Sequence, residues 1–215
     1  MDTSVNARAI LYALADSRLP IGGHVHSGGV EEAVSSGLVR DLVTVEAYLR
    51  RRITTSGLVA ASLAAAVCAG ELTEARADAE ADARTLAPAA RAASRAQGRG
   101  LLRLAKQIWP QQDWTRSSPR PHLSTVFGSV GAVAGIAPAE LAGIVVYTTL
   151  TGAATAAQRL LALDPADIAA CTVRLAALCD RTAAEAATGP AALSDPLQDV
   201  LAQRHPLRDM PLFAS

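Results

Sequence analysis

The chain has 215 residues, half of them hydrophobic and only 3% aromatic, and its 20 acidic and 20 basic side chains give a formal net charge of zero. Proteins that bind nucleic acid usually carry an excess of positive charge, so this balance argues against a nucleic-acid partner. The length suffices for one sizeable core, and we expect a single domain over residues 1–215.

No segment of the sequence has the pattern of a secretion signal or a membrane span. The N-terminal residues lack a basic region followed by a long apolar run. The apolar stretch 131–150 is interrupted by Pro138 and Glu140. The three cysteines form no CxxC pair, which favours free thiols in a reducing compartment. We therefore expect a cytoplasmic protein with no membrane partner.

Apolar residues recur with helical spacing along nearly the whole chain, and no long stretch alternates with the period of a strand. We predict an all-α fold, a helical bundle of about eight to ten helices around one core. The expected helices are 5–15, 27–36, 42–55, 58–69, 71–86, 88–109, 122–134, 138–163, 165–187 and 196–203, and the tail over 206–215 is expected to be extended.

Several helix boundaries have a recognisable chemical signal. Asp41 and Asp164 can each accept a backbone N–H at the start of a helix, and Pro88 suits a first helical turn. Ser56-Gly57 is expected to end the third helix. The charged residues of 71–86 predict a helix on the surface.

Most of the unusual chemistry of this chain lies in the stretch 14–31. It contains two glycine pairs, which let the backbone turn sharply or approach other groups closely. Pro20 prevents the preceding helix from continuing. Ser27 can cap the following helix, with Glu31 in its first turn. We expect a structured loop that leads into a helix, and we call residues 14–31 the N-terminal loop.

This loop also carries a pattern of eight residues, Asp16, Ser17, Pro20, Gly22, His26, Ser27, Gly29 and Glu31. The pattern resembles the N-terminal signature of the UreF-type urease accessory proteins. Four further blocks are similar to the same family and follow in the same order. They contain Arg91, Ser94, Gly98 and Arg99; His122, Phe127 and Gly128; Ala156, Ala157 and Arg159; and His205, Leu212, Phe213 and Ser215.

Four positions depart from the family pattern. They are His24, Gly152, Pro206 and Pro211, where the family usually has Phe, Asn, Glu and Arg. The last two replace a charge by a rigid ring, which puts the usual C-terminal contacts in doubt.

The resemblance implies a helical, non-enzymatic protein of urease maturation. Such proteins join a UreD-type (UreH-type) partner and a UreG-type GTPase on apo-urease, regulate the GTPase and assist nickel insertion. The resemblance therefore implies that no cofactor is bound tightly and that nickel is handled by the complex. The matched residues from Asp16 to Phe213 become candidates for partner binding or for structure. Zero net charge and the apolar Leu212-Phe213 pair also favour self-association, and we expect a homodimer.

Other interpretations of these residues remain open at this point. His24 and His26 are weak candidates for a metal site, since imidazole binds nickel, zinc and copper, but two histidines supply only half a tetrahedral site. A hydrolytic enzyme could use Ser27 as nucleophile with His122 or His205 as base and Asp16 as orienting group. No strand precedes Ser27, so the usual setting of a nucleophilic serine is missing. A helical adaptor unrelated to urease is the third interpretation.

The basic residues of 88–109 form a further pattern. Arg91, Arg95, Arg99 and Arg103 stand four residues apart, which places them on one side of a helix. Such a stripe is usually a solvated face, although Arg99 has a better claim to a partner contact. Gly98 and Gly100 flank Arg99 and each costs a helix about 1 kcal/mol relative to alanine, which indicates a kink or a close approach.

Overall fold

The structure is a computed structural model that describes residues 7–21, 23–115 and 117–214. The regular secondary structure in this part of the chain is entirely helical, which confirms the predicted all-α fold. The helices are α1 Ala7–Ala15, α2 Val30–Ser35, α3 Leu42–Arg52, α4 Leu58–Cys68, α5 Glu74–Arg84, α6 Pro88–Ile108, α7 Leu123–Ala134, α8 Pro138–Leu161, α9 Pro165–Arg174, α10 Ala176–Ala186 and α11 Pro196–Arg204.

Helix α4 lies at the centre of the molecule, in contact with α5, α7, α8 and α10. It is apolar on all sides because it is covered on all sides, as expected for a core helix. Small residues bring its neighbours close. A β-carbon at Gly128 would stand only 2.7 Å from the Ala64 carbonyl oxygen, so α7 packs almost backbone to backbone on α4. Phe127, next to that contact, is fully buried.

The capping signals of the sequence act as predicted. The Asp41 carboxylate accepts the Thr44 N–H at 2.8 Å, and the Thr44 hydroxyl accepts the Asp41 N–H at 3.0 Å. Asp164 accepts the Ala166 N–H at 2.7 Å at the start of α9. Pro88 occupies the first turn of α6. These local signals therefore fix where α3, α6 and α9 begin.

Two expectations about the helices were wrong. Ser56-Gly57 does not end a helix: Ile53–Gly57 forms a π-helical segment that joins α3 to α4. A β-carbon at Gly57 would lie 3.1 Å from the Arg52 carbonyl oxygen, so glycine permits the local crowding. The helix expected over 165–187 is divided at Leu175, whose side chain is fully buried. The α5 helix lies on the surface as predicted, with Ala77, Asp78 and Ala81 buried on its inner side.

Residues after α11 have little regular structure. A short 3-10 turn spans His205–Leu207, and the backbone is extended at Arg208. No helix in the described residues is both long and apolar enough to cross a membrane.

Candidate functional site

The N-terminal loop turns twice before α2 begins. A 3-10 turn spans Gly23–Val25, and Gly28 and Gly29 have φ angles of +62° and +85°, in the left-handed region that favours glycine. Gly22 lies outside the described residues. At the start of the loop, the Arg18 side chain binds Asp16 and lowers the pKa of that carboxyl to about 2. Ser17 and Pro20 are exposed.

Ser27 supports the start of α2, although its position in the cap differs from the prediction. The helix begins at Val30 with Gly29 as its capping residue, whereas the sequence predicted a start at Ser27. The buried Ser27 hydroxyl oxygen still accepts the Glu31 N–H, at 3.3 Å. Ser27 therefore satisfies a backbone donor in the first turn, as a capping serine does.

The carbonyl of Gly28 joins the N-terminal loop to two helices, α3 and α11. It accepts hydrogen bonds from Arg52 Nη1 at 2.5 Å, from Gln198 Nε2 at 2.9 Å and from the Tyr48 hydroxyl at 3.2 Å. A side chain at Gly29 would overlap Gln198, since a β-carbon there would lie 2.7 Å from Nε2. Gly28 and Gly29 are thus needed here for two reasons: they adopt positive φ angles, and they leave room for the side chains that pack against them.

The Glu31 carboxylate holds the C-terminal tail. It accepts a hydrogen bond from His205 Nε2 at 2.8 Å and from the backbone N–H groups of Leu212 and Phe213 at 2.7 and 3.0 Å. Both Glu31 and His205 are 2% exposed. Burial acts to raise the pKa of Glu31, but the Leu212 N–H, His205 and the Phe213 N–H outweigh it, so this pKa is lower than usual.

Further contacts fasten the tail on both sides of Glu31. The Phe213 ring is buried, and the Arg159 guanidinium lies 5.0 Å from its centroid. The Ala214 N–H donates to the Val25 carbonyl at 2.6 Å. The next carboxylate, Glu32, binds Arg204 at 3.0 Å and Arg208 at 3.3 Å. We call Glu31 with the tail residues that it binds the tail clasp.

A second polar cluster joins α5, α6 and the start of α7. His122 Nε2 lies 2.9 Å from Asp82, and its Nδ1 lies 3.0 Å from the Ser94 hydroxyl. Asp78 accepts the His122 N–H at 2.9 Å and the Thr125 hydroxyl at 2.7 Å. Burial lowers the pKa of His122 even though Asp82 acts to raise it, so this histidine stays neutral to lower pH than usual.

Ser94, His122 and Asp82 have the connectivity of a catalytic triad, but their surroundings favour a structural role. The Ser94 oxygen also accepts the Leu123 N–H at 3.3 Å, and His122 is 2% exposed. The adjoining cavity measures about 90 Å³, whereas ligand pockets usually measure about 300–1,000 Å³. The cluster therefore fixes three helices relative to one another.

The structure brings together many of the residues that the sequence singled out. Glu31, His205, Leu212 and Phe213 form the tail clasp. Ser27 accepts the Glu31 N–H and Arg159 lies over the Phe213 ring, whereas Gly29 faces Gln198. His122 belongs to the second cluster, and Phe127 and Gly128 pack in the core. Arg99 is exposed on α6, and half-buried His26 lies just before Ser27.

The hydrolase constellation of Ser27, Asp16 and a histidine is not formed. Asp16 binds Arg18, His122 binds Ser94 and Asp82, and His205 binds Glu31. Among the described residues, no group of three or more histidine, cysteine, aspartate or glutamate side chains is placed to hold a metal ion. The side chain of His24 lies outside the description, so the His24/His26 pair stays a prediction.

Sequence reasoning missed the partners of these groups. Tyr48, Arg52 and Gln198 hold the Gly28 carbonyl, and Asp78, Asp82 and Arg95 surround His122. Asp78 and Asp82 are four residues apart, and this spacing in the sequence indicates that both lie on the same face of a helix. Nothing in the local sequence pointed to Gln198, which is 170 residues away from Gly28.

Fold and site together define a class: an all-α protein in which a carboxylate in an N-terminal helix holds the C-terminal tail on the surface. A family model described as UreF matches residues 39–176, more than half of the chain. Similarity to curated proteins is high over the full length. The chain is 70% identical over 205 residues to the urease accessory protein UreF of Mycobacterium sp. (strain JLS), covering 95% of this chain and 97% of that protein.

Two further relatives carry the same name. The protein of Mycolicibacterium vanbaalenii is 65% identical over 214 residues, covering 98% of this chain and all of the relative. The protein of Mycobacterium tuberculosis (strain ATCC 25177 / H37Ra) is 59% identical over 207 residues, covering 96% of this chain and 98% of the relative. This chain belongs to the UreF family of urease accessory proteins, and it is an accessory protein of urease maturation and not an enzyme.

Proposed function

We propose that the chain is a scaffold that joins a UreD-type (UreH-type) protein and a UreG-type GTPase on apo-urease, regulates the GTPase and assists nickel insertion. It works in the cytoplasm as a homodimer. Nickel is the cargo of the assembled complex, and the chain itself binds no cofactor tightly. Membership of the UreF family supports the role in urease maturation, and the finer assignments extend it.

The geometry of the tail clasp carries this proposal. Phe213 is buried, yet three neighbouring apolar side chains of the same segment are turned to solvent: Leu207, Met210 and Leu212 are 81%, 88% and 76% exposed. The backbone at Leu212 and Phe213 is held by Glu31 through their N–H groups. Exposed apolar side chains on a fixed backbone favour docking of a partner protein.

Two alanine substitutions at adjacent positions test the proposal. Leu212→Ala removes an exposed side chain, so we expect an unchanged melting temperature but weaker binding to the purified UreD-type partner. Phe213→Ala removes a buried ring and should cost about 3 kcal/mol of stability. A triple variant combines Leu212→Ala with Met210→Ala and Leu207→Ala. If it binds the partner with full affinity, the support for a docking tail is removed.

A further inference from the structure

Helix α6 carries five basic side chains along one side, and the structure divides them into two groups. The charges of Arg91 and Arg95 are paired with a carboxylate: Arg91 Nε lies 3.7 Å from Asp82, and Arg95 Nη2 lies 2.8 Å from the same side chain. Arg95 also reaches Asp78 at 3.4 Å. This half of the stripe is part of the second cluster and serves the fold.

The positive charges in the other half of the stripe are not paired with carboxylates among the described residues. Arg99, Arg103 and Lys106 are exposed, and none of their side chains forms an ion pair or hydrogen bond within residues 7–21, 23–115 and 117–214. Arg99 and Arg103 are four residues apart and Lys106 follows after three, so the three charges are neighbours on one helix face. Like charges at this spacing destabilise a helix. The stability of the chain therefore does not explain the arrangement.

The backbone that carries these charges is held firmly on both sides of Arg99. A β-carbon at Gly98 would collide with the Pro121 carbonyl oxygen, and one at Gly100 would lie 3.0 Å from the Ile21 Cα atom. The loop before α7 and the N-terminal loop thus pack directly on α6. Arg99 lies between these two contacts on a fixed helix, so no backbone entropy is lost there when a partner binds.

We propose that Arg99, Arg103 and Lys106 form a docking surface for an acidic face of another protein of urease maturation. Arg99 and Lys106 are seven residues apart, or about 10 Å along the helix axis. The two guanidinium groups can each bind a carboxylate through two parallel hydrogen bonds. A protein partner is favoured over nucleic acid because the whole chain has a net charge of zero. The inference rests on the scaffold role proposed above.

Charge reversal at the middle position separates binding from stability. In Arg103→Glu the new carboxylate stands between Arg99 and Lys106, so repulsion within the helix becomes attraction and the melting temperature should stay equal or rise. Binding to an acidic face should weaken at the same time. A structural role for Arg103 would instead lower the melting temperature. Arg181→Glu, an exposed position on α10, is the matched control for the change of charge.

The measurement is the affinity of the wild type, Arg103→Glu, Arg181→Glu and a triple Arg99→Glu/Arg103→Glu/Lys106→Glu variant for each of three purified probes. The probes are apo-urease, the UreD-type protein and the UreG-type GTPase, each at low and high salt. For one probe, the triple variant should bind roughly ten-fold more weakly or worse at low salt and lose most of its salt dependence. Arg181→Glu should bind like the wild type.

Three outcomes overturn the inference, and they differ from one another. Equal binding of all probes by the wild type and the triple variant removes the docking surface and leaves the scaffold role intact. Failure of the wild type to bind any probe removes the scaffold role and the inference with it. Binding of a random-sequence DNA duplex that the triple variant loses would assign the surface to nucleic acid instead.

Discussion

Glu31 is the single residue on which the position of the tail depends most. Its buried carboxylate accepts hydrogen bonds from His205, Leu212 and Phe213, two of them from backbone N–H groups. A buried donor that loses its acceptor lowers stability by more than the hydrogen bond itself contributes, because the donor has been removed from water and gains no new partner. The side chain of one glutamate therefore decides whether the last residues of the described chain lie on α2.

Replacing Glu31 by glutamine tests this dependence. Glu31→Gln keeps the shape of the side chain but turns one acceptor oxygen into a donor, so we expect a loss of about 2 kcal/mol. Hydrogen exchange should accelerate at the Leu212 and Phe213 amides. The exposed Glu185→Gln serves as control and should change neither measurement. Unchanged protection of the two amides would show that the tail is held by other contacts.

The lowered pKa of Glu31 also sets a pH dependence. The ionised form is the one that the fold stabilises, so its contribution is complete above the ordinary pKa of 4.5. That contribution is lost as the pH falls below 4.5 through the lowered pKa of the folded state. Acid should therefore release the tail in wild-type protein and have less effect on the tail of Glu31→Gln.

Among the helices, α6 is positioned by the absence of side chains at two glycines. The sequence predicted either a kink or a close approach at Gly98 and Gly100, and the structure shows an unbroken helix with close approaches on both sides. Periodicity and capping residues were enough to predict most helices. They could not predict which elements approach each other, since that depends on residues far apart in the chain.

A pair of glycine-to-alanine substitutions tests the close approach. Gly98→Ala puts a β-carbon against the Pro121 carbonyl and should destabilise the protein by about 2 kcal/mol or more. Gly143→Ala, in the middle of α8 with open space around it, should stabilise the protein by about 0.5–1 kcal/mol. Thermal unfolding of both variants is the measurement. The same sign of change in both would contradict the packing described for α6.

The stability of the protein should fall as buried His122 gains a proton. Because burial lowers the pKa of His122, the unfolded chain binds a proton more readily than the folded one just below the ordinary value of 6.5. Stability should therefore fall as the pH drops below 6.5 toward the lowered pKa of the folded state. His122→Asn should be less stable throughout but should show a flatter profile in chemical unfolding across that range. An equally steep profile would assign the pH dependence to other groups.

For the whole molecule, the sequence was most informative where the chemistry is local. The resemblance carried by the N-terminal loop led to the right family, and Glu31, His205 and Phe213 of that pattern do meet in space. The sequence alone did not predict whether Phe213 is exposed or buried, because an apolar residue in the tail can either dock a partner or pack on the core of its own chain. The partners of Gly28 could not be predicted, since two helices far apart in the chain, α3 and α11, provide them.

The most direct test of the account is the nickel content of urease made with and without this chain. The cognate urease operon is expressed in cells with the wild type, with Leu212→Ala or without the chain, and nickel per active site is measured in the purified enzyme. We predict full nickel loading with the wild type, little without the chain, and an intermediate level with the folded Leu212→Ala variant. Equal loading with and without the chain would contradict its role in urease maturation.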